Sequence, residues 1–325
     1  MCVNTRKRIS IILGGSLLIF ATSALSQDYP SRAIRVVVPF AAGGGGDVVT
    51  RIVMRHLTDS LGKSVVIENR TGGSGIVGTQ AVAIAPPDGY TLLQASATNL
   101  AVLPFMTRLP YDPKDFAPIT LLGSQPHVVV VPASLPVKTL AELVGLAKRR
   151  PGELNYGSSG SGGPNHLGTE LFRLEAGIQI THVPYKGNGL VLIDLVSGHI
   201  QLGIMSMAPT LPHIKSGKLK ALAVTSPARL PVIPYSPTVA ESGYPGYEVR
   251  SWYGLFAPVK TPRAIVMKLN EEIASVLRRR ETIQTFAAQG VEPGGNSVEE
   301  FTAFVKRESD RWGRVVKAIN LKIDL

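Results

Sequence analysis

Hydrophobic positions along this chain switch repeatedly between a period of two and a period near 3.6. Residues 33–40 read as a strand, and Val49, Ile52, Val53, His56, Leu57 and Leu61 then share one helical face. Asp47 is the natural N-cap for that helix. Residues 64–68 predict the next strand and 76–85 the next helix. Pro86-Pro87-Asp88-Gly89 then turns the chain into a strand over 90–94. Such alternation argues for an α/β fold with mixed, mostly parallel sheets flanked by helices.

The alternation breaks at residues 113–118. Two extended runs follow, 119–122 and 127–131, separated by Gly123 to Pro126, and they predict a first crossing between two lobes. Beyond it come a helix over 140–150 and strands over 154–156 and 179–183. A helix over 190–196 and strands over 200–205 and 219–224 complete the series. Residues 246–258 are extended and aromatic-rich (Tyr247, Trp252, Tyr253, Phe256), as expected of a return crossing. The remainder is helical, and Ser297 with Glu300 forms a capping box before the last helix. The expected lobes are therefore 27–125 with 252–325, and 126–251.

The amino terminus changes the picture of where this chain works. Arg6, Lys7 and Arg8 precede an apolar run over 9–21 and the small residues Ala24-Leu25-Ser26. That is a secretory signal peptide covering residues 1–26, with cleavage after Ser26. The sole cysteine, Cys2, leaves with it, so the mature chain has no disulfide, which fits a bacterial periplasm. Losing three basic residues takes the formal net charge from +11 to +8. The basic clusters 148–150 and 278–280 close helical patterns and carry no interleaved aromatics, so they point to no nucleic acid.

Two glycine-rich loops hold the candidate chemistry. The first, Phe40-Ala41-Ala42-Gly43-Gly44-Gly45-Gly46-Asp47, runs from a strand into a helix. Four glycines let backbone N–H groups converge on an anion at a helix N-terminus. The second is Tyr156-Gly157-Ser158-Ser159-Gly160-Ser161-Gly162-Gly163, with Pro164 at the first position of the following helix. It offers hydroxyls and N–H groups without a formal charge, a seat for carboxylate or phosphate. Tyr185, Ser206, Ser96 and Asn99 stand at strand ends, where ligands of open sheets gather.

Other signals are weaker. Gly62-Lys63-Ser64 lacks the glycine a phosphate-binding loop needs at position 57. Residues 73–78 match a dinucleotide fingerprint without its acidic partner, and suggest instead a third helix N-terminus entered through Asn69 and Arg70. The six histidines show no metal-ligand spacing, so neither metal nor cofactor is expected. No Gly-x-Ser-x-Gly elbow occurs, and Ser159 with His166 is the one pair that a secreted hydrolase could use.

In combination these residues resemble the substrate-binding proteins of tripartite tricarboxylate transporters, the Bug-type periplasmic receptors. The likeness runs through Tyr29-Pro30, residues 39–47, Glu68-Asn69-Arg70, 156–167 and 182–187. It continues in Ser216-Gly217-Lys218, 237–241 and 252–258. It implies a two-lobed, type II Venus-flytrap receptor that is not an enzyme. Such a receptor closes on a small carboxylate or acidic amino acid and delivers it, as a monomer, to an integral-membrane permease. It also implies that main-chain N–H groups of the two loops, with ordered water, hold the carboxylate. The expected ligand-binding residues are Phe40, Gly43, Gly44, Gly45, Gly46, Asp47, Ser96, Asn99, Ser158, Ser159, Gly160, Ser161, Gly162, His166, Tyr185 and Ser206. Ala41, Ala42 and Thr71 stand where the family commonly has proline. A ligand-sensing module for a two-component system needs the same closing cleft and stays open as an alternative, beside the hydrolase.

Overall fold

The computed structural model describes Met1 and residues 29–185 and 187–322. The expected signal sequence and Lys186 of the 182–187 motif lie outside the described residues. In chain order the first half comprises β1 (Ile34–Val38), α1 (Gly45–Leu61), β2 (Val65–Asn69), α2 (Ile76–Ala83), β3 (Thr91–Ser96), α3 (Leu103–Met106) and β4 (Phe116–Pro132). Next come α4 (Leu140–Arg149), β5 (Asn155–Ser158), α5 (Pro164–Ala176), β6 (Thr181–Pro184), α6 (Asn188–Ser197), β7 (Gly203–Ser206), α7 (Met207–Lys215) and β8 (Leu219–Val224). The chain closes with β9 (Arg250–Pro258), α8 (Arg263–Leu277), α9 (Arg280–Ala288), β10 (Glu292–Pro293) and α10 (Val298–Ala318).

One long strand organises the molecule. The sheet runs β10-β4-β9-β3-β1-β2, with β7 and β8 pairing to β4. The first part of β4 pairs with β9, from Phe116 to Pro126, and its end pairs with β7 and β8, from His127 to Pro132. The two expected runs are thus a single strand of 17 residues. Gly123 and Pro126 do not break it, because register shifts next to Leu121 absorb the irregularity. Gly123 is needed for another reason: a Cβ there would lie 2.9 Å from Val291 and 3.1 Å from the Glu292 carbonyl, where β10 crosses. The pairs β1–β2, β1–β3 and β5–β6 are parallel and the others antiparallel, so the sheets are mixed, with crossing strands supplying the antiparallel pairs.

Three apolar clusters follow from this layout. One joins Ile34 and Val36 of β1 to Val53 and Leu57 of α1 and Leu269 and Ile273 of α8. A second joins Val128 and Val130 of β4 to Val191, Leu195, Met205 and Val224. The third links the two ends of the molecule, from Val37 and Leu93 through Trp252 and Phe256 to Tyr156 and Phe172. Val36 and Val37 enter different clusters because successive strand residues point to opposite faces. α10 packs Phe301, Glu308, Trp312 and Val315 inward, and its Ser297–Glu300 capping box forms as expected. α7 escapes sequence reading because Pro209 and Pro212 lie inside it, and the two-residue β10 is too short to leave a pattern.

Candidate functional site

The first loop is fixed by a closed polar ring. Gly43 takes φ +82°, and its N–H donates to Asp47 Oδ2 at 2.9 Å. Arg51 Nε donates to the same oxygen at 2.8 Å, and Asn69 Nδ2 donates to Asp47 Oδ1 at 2.8 Å and to the Phe40 carbonyl at 3.0 Å. Asp47 is therefore not the N-cap. Gly44 holds that position without a side-chain cap, and Asp47 is the third helical residue, reaching back to the loop. Burial would raise the Asp47 pKa. The hydrogen bonds from Arg51, Gly43 and Asn69, with the Arg51 charge, hold it below the ordinary carboxylate range instead.

Glycine is required at positions 45 and 46 by the protein's own packing. A Cβ on Gly45 would overlap the Tyr253 hydroxyl, and one on Gly46 would lie 2.8 Å from Gln94 Oε1. Gln94 Nε2 donates to the Ala95 carbonyl, while its buried Oε1 has no partner among the described residues. On the loop's other flank, a Cβ on Gly75 would overlap Asn99 Nδ2 and come within 3.2 Å of the Phe40 ring, so the third turn does abut the first loop. Asn99 itself is fully buried, donating to Thr79 Oγ1 at 3.3 Å and accepting from the Ser96 hydroxyl at 3.2 Å. Ser96 closes β3, and Asn99 belongs to a π-turn over Thr98–Val102 that runs directly into α3.

The second loop is tied to a stack of aromatic rings. Ser158 Oγ shares a 2.6 Å hydrogen bond with His182 Nε2 and accepts from the Gly160 N–H at 3.3 Å. The His182 and His166 rings stack at 4.0 Å, and Tyr156 stacks on His182 at 4.9 Å. Gly162, at φ +78°, donates its N–H to His166 Nδ1 at 3.0 Å, which requires that nitrogen to be unprotonated. Ser159 Oγ donates to Asn165 Oδ1 at 3.2 Å, and Asn165 Nδ2 donates to the Ile204 carbonyl at 2.7 Å, anchoring α5 to β7. Gly163 is the N-cap and Pro164 the first helical residue, as the sequence indicates.

The two loops meet through the segment between them in space. Gly162 lies against Met106 and Val102, within about 3.0 Å of Met106 for a Cβ built there. Ala97, Thr98, Gly162, Pro164, Arg250 and Trp312 pack around a crevice too narrow to admit water. Arg250 is held there by Ser124 at 2.9 Å, Glu292 at 2.7 Å and Glu248 at 2.9 Å. Tyr185 stays beside the second loop, its N–H donating to the Ser158 carbonyl at 2.9 Å and its ring 3.3 Å from a Cβ built on Gly157. Its hydroxyl, however, donates to Asp194 Oδ2 at 2.6 Å, and burial with this bond raises its pKa to about 12. Ser206 is buried beside His127, at 3.4 Å from its Nε2. Gln94 and Arg250 carry no local motif and reach the site from β3 and β9, which sequence spacing does not reveal. Tyr253 and Asn165 lie in stretches of the family likeness, but their contacts with Gly45 and the Ile204 carbonyl depend on the fold.

The tripartite tricarboxylate transporter family receptor pattern matches residues 49–321. The chain belongs to this receptor family. The Bordetella pertussis protein BugT is 39% identical over 306 residues, covering 93% of this chain and 94% of that protein. The solved structure of an R. palustris protein with adipate is 38% identical, covers 91% of this chain and 99% of its own, and superposes with a TM-score of 0.78. MatC from Rhodopseudomonas palustris with bound malate is 31% identical, covers 89% of this chain and all of its own (100%), with a TM-score of 0.75. The receptor thus has the α/β periplasmic binding protein fold, with mixed sheets flanked by helices, and is a binding protein rather than an enzyme. The hydrolase alternative also lacks its pairing: Ser159 bonds Asn165, and His166 Nδ1 is occupied by the Gly162 N–H.

The receptor's buried histidines weaken it in acid, as the depressed Asp47 carboxylate does at lower pH. Burial, with the His182 charge, pushes His166 down to about 4 against the opposing Glu170. Burial also pushes His127 down to about 4, the Val249 carbonyl opposing and the Arg250 charge adding. A histidine whose folded pKa is depressed binds fewer protons than in the unfolded chain. Stability is therefore full above about 6.5 and falls as pH drops toward 4. Each histidine contributes on the order of 3 kcal/mol across that window. Glu308, whose pKa burial raises, acts with the opposite sign and offsets part of it. Urea unfolding at pH 7, 5.5 and 4.5 should show the decline, and His166→Asn should flatten it. A pH-independent midpoint contradicts the assignment.

Proposed function

We propose that the protein is an exported, monomeric receptor that holds a small dicarboxylate between loops 40–47 and 158–163 and passes it to an integral-membrane permease. One observation carries this reading: the helix that follows each glycine-rich loop opens on a glycine N-cap with no side-chain cap, at Gly44 and Gly163, as α2 and α6 also do at Gly75 and Gly187. The first N–H groups of a helix have no intrahelical partner and favour an anion. In the first loop these are the amides of Gly45, Gly46 and Asp47. In the second they are those of Gly163, Asn165 and His166, since Pro164 has none.

Gly43 and Gly162, one in each loop, already spend their N–H groups on Asp47 and His166. The Asp47 carboxylate does not repel an incoming anion strongly, because Arg51 neutralises it. The adipate and malate bound by relatives support a small dicarboxylate as the ligand class. The separate clusters beneath β1 and β7 support lobes divided near 125 and 252, and the sequence of residues 1–26 supports a periplasmic location.

Thermal unfolding of protein stripped of bound ligand tests the reading. Adipate, malate or another C4–C6 carboxylate at about 100 times its Kd should add about 2.7 kcal/mol of stability. A series in which no mono-, di- or tricarboxylate raises the midpoint sinks it.

A further inference from the structure

The C-terminal half of α10 presents two faces with different neighbours. Trp312 lies inward, lining the narrow crevice beside Gly162. Gly313, Val316 and Leu321 lie toward an open groove of ≈ 860 Å³ whose other wall is the Phe105 ring, itself 46% exposed. Glycine at 313 admits that ring, since a Cβ there would lie 2.7 Å from Phe105 Cζ.

The rim of the groove is cationic. Arg307, Arg314, Lys317 and Lys322 border it, all exposed, and among the described residues none has a carboxylate within ion-pair distance. Asp310, the acidic residue on the same rim, is bound to Lys306 at 2.7 Å, and Arg311 is paired with buried Glu308 at 3.1 Å. Lone surface cations are ordinary. Four that find no carboxylate among the described residues, around an exposed aromatic, have the chemistry of an interface, with an apolar anchor and a charged rim.

The groove also lies back to back with the second loop. Phe105 and Met106 are adjacent in α3: Phe105 faces the groove, and Met106 rests against Gly162 of the second loop. A partner seated in the groove grips the turn against which the second loop closes.

We propose that this groove is the docking surface for an acidic, apolar-tipped periplasmic loop of the permease, read together with the position of the second loop. The inference rests on the transport reading above. Charge complementarity selects an acidic partner, and steering by such a rim makes the encounter faster at low ionic strength.

The test pairs binding with transport in the whole receptor. Phe105→Ala and the double charge reversal Arg314→Glu with Lys317→Glu should leave adipate or malate affinity within about twofold by calorimetry. Uptake of the same radiolabelled compound, in cells carrying receptor and permease, should fall at least about tenfold. A photo-crosslinker at position 317 of the otherwise unchanged receptor should mark a periplasmic loop of the permease. Undiminished uptake by the variants, or crosslinks confined to lipid or to a second receptor copy, overturns the docking surface while leaving the transport reading intact. If the unchanged receptor supports no uptake of any dicarboxylate, both fall together.

Discussion

Alanine at position 45 is expected to lower stability by about 2 kcal/mol and to abolish dicarboxylate binding, although alanine is the better helix former. Propensity alone favours the substitution by at most ~1 kcal/mol. Against it stands the Tyr253 side chain, whose hydroxyl a new methyl would overlap and whose ring carbon Cζ lies 3.0 Å away. Tyr253 is held in β9 between β3 and β4, so it has little room to withdraw. Overpacking of this kind costs about 1–3 kcal/mol and displaces backbone. The displaced backbone is the one that carries the first unpaired amides of α1. A double-mutant cycle isolates the cause, because Tyr253→Phe removes the offending oxygen. Gly45→Ala should then cost at least about 1 kcal/mol less, measured by urea unfolding. Strictly additive costs would mean that the hydroxyl is not what demands glycine.

Removing the Glu308 carboxylate has the largest effect on the fold. Its Oε2 accepts from both Trp252 Nε1 and Trp312 Nε1 at 3.1 Å, and its Oε1 pairs with Arg311 at 3.1 Å. Glu308→Ala strands two buried indole donors and leaves Arg311 with only the Glu248 carbonyl at 2.8 Å. Breaking one partner of a buried charged network costs about 3–5 kcal/mol. In a chain of this size that lowers the midpoint by about 5–8 °C. Glu308→Gln keeps one acceptor and should lose about half as much. A calorimetric scan showing less than about 1 kcal/mol for the alanine variant would mean that the two tryptophans find other acceptors.

These two sites show where sequence stops being informative. The periodic helices, the capping box at Ser297 and Glu300, and Pro164 at the head of α5 were legible because each is a local pattern with a local cause. The glycine run at 43–46 was legible as special, but its cause is split. Gly45 and Gly46 are small because Tyr253 and Gln94 press on them, and both neighbours come from other strands. Asp47 looked like an N-cap because its residue type favours one. A glycine took the cap, and the carboxylate was free to fold back on Gly43.

The same limit explains the crossing strand. Gly123 and Pro126 signal a break in isolation, yet β4 continues because β9 pairs along its first part and β10 needs the bare backbone at Gly123. Tyr185, placed at a strand end like Ser158, stays beside the second loop, but Asp194 on the next helix takes its hydroxyl. His182 entered through the family motif, but its partnership with Ser158 and its stacking on His166 need the parallel register of β5 and β6.

The clamp itself is tested most directly by nuclear magnetic resonance of the receptor labelled with ¹⁵N-glycine and titrated with adipate or malate. The amides of Gly45, Gly46 and Gly163 should shift together along one saturation curve, because none of the three finds an acceptor among the described residues. Gly43 and Gly162, already bonded to Asp47 and His166, should move less. Saturating dicarboxylate that leaves Gly45, Gly46 and Gly163 unmoved, or that shifts one loop alone, contradicts a carboxylate held between the two helix N-termini.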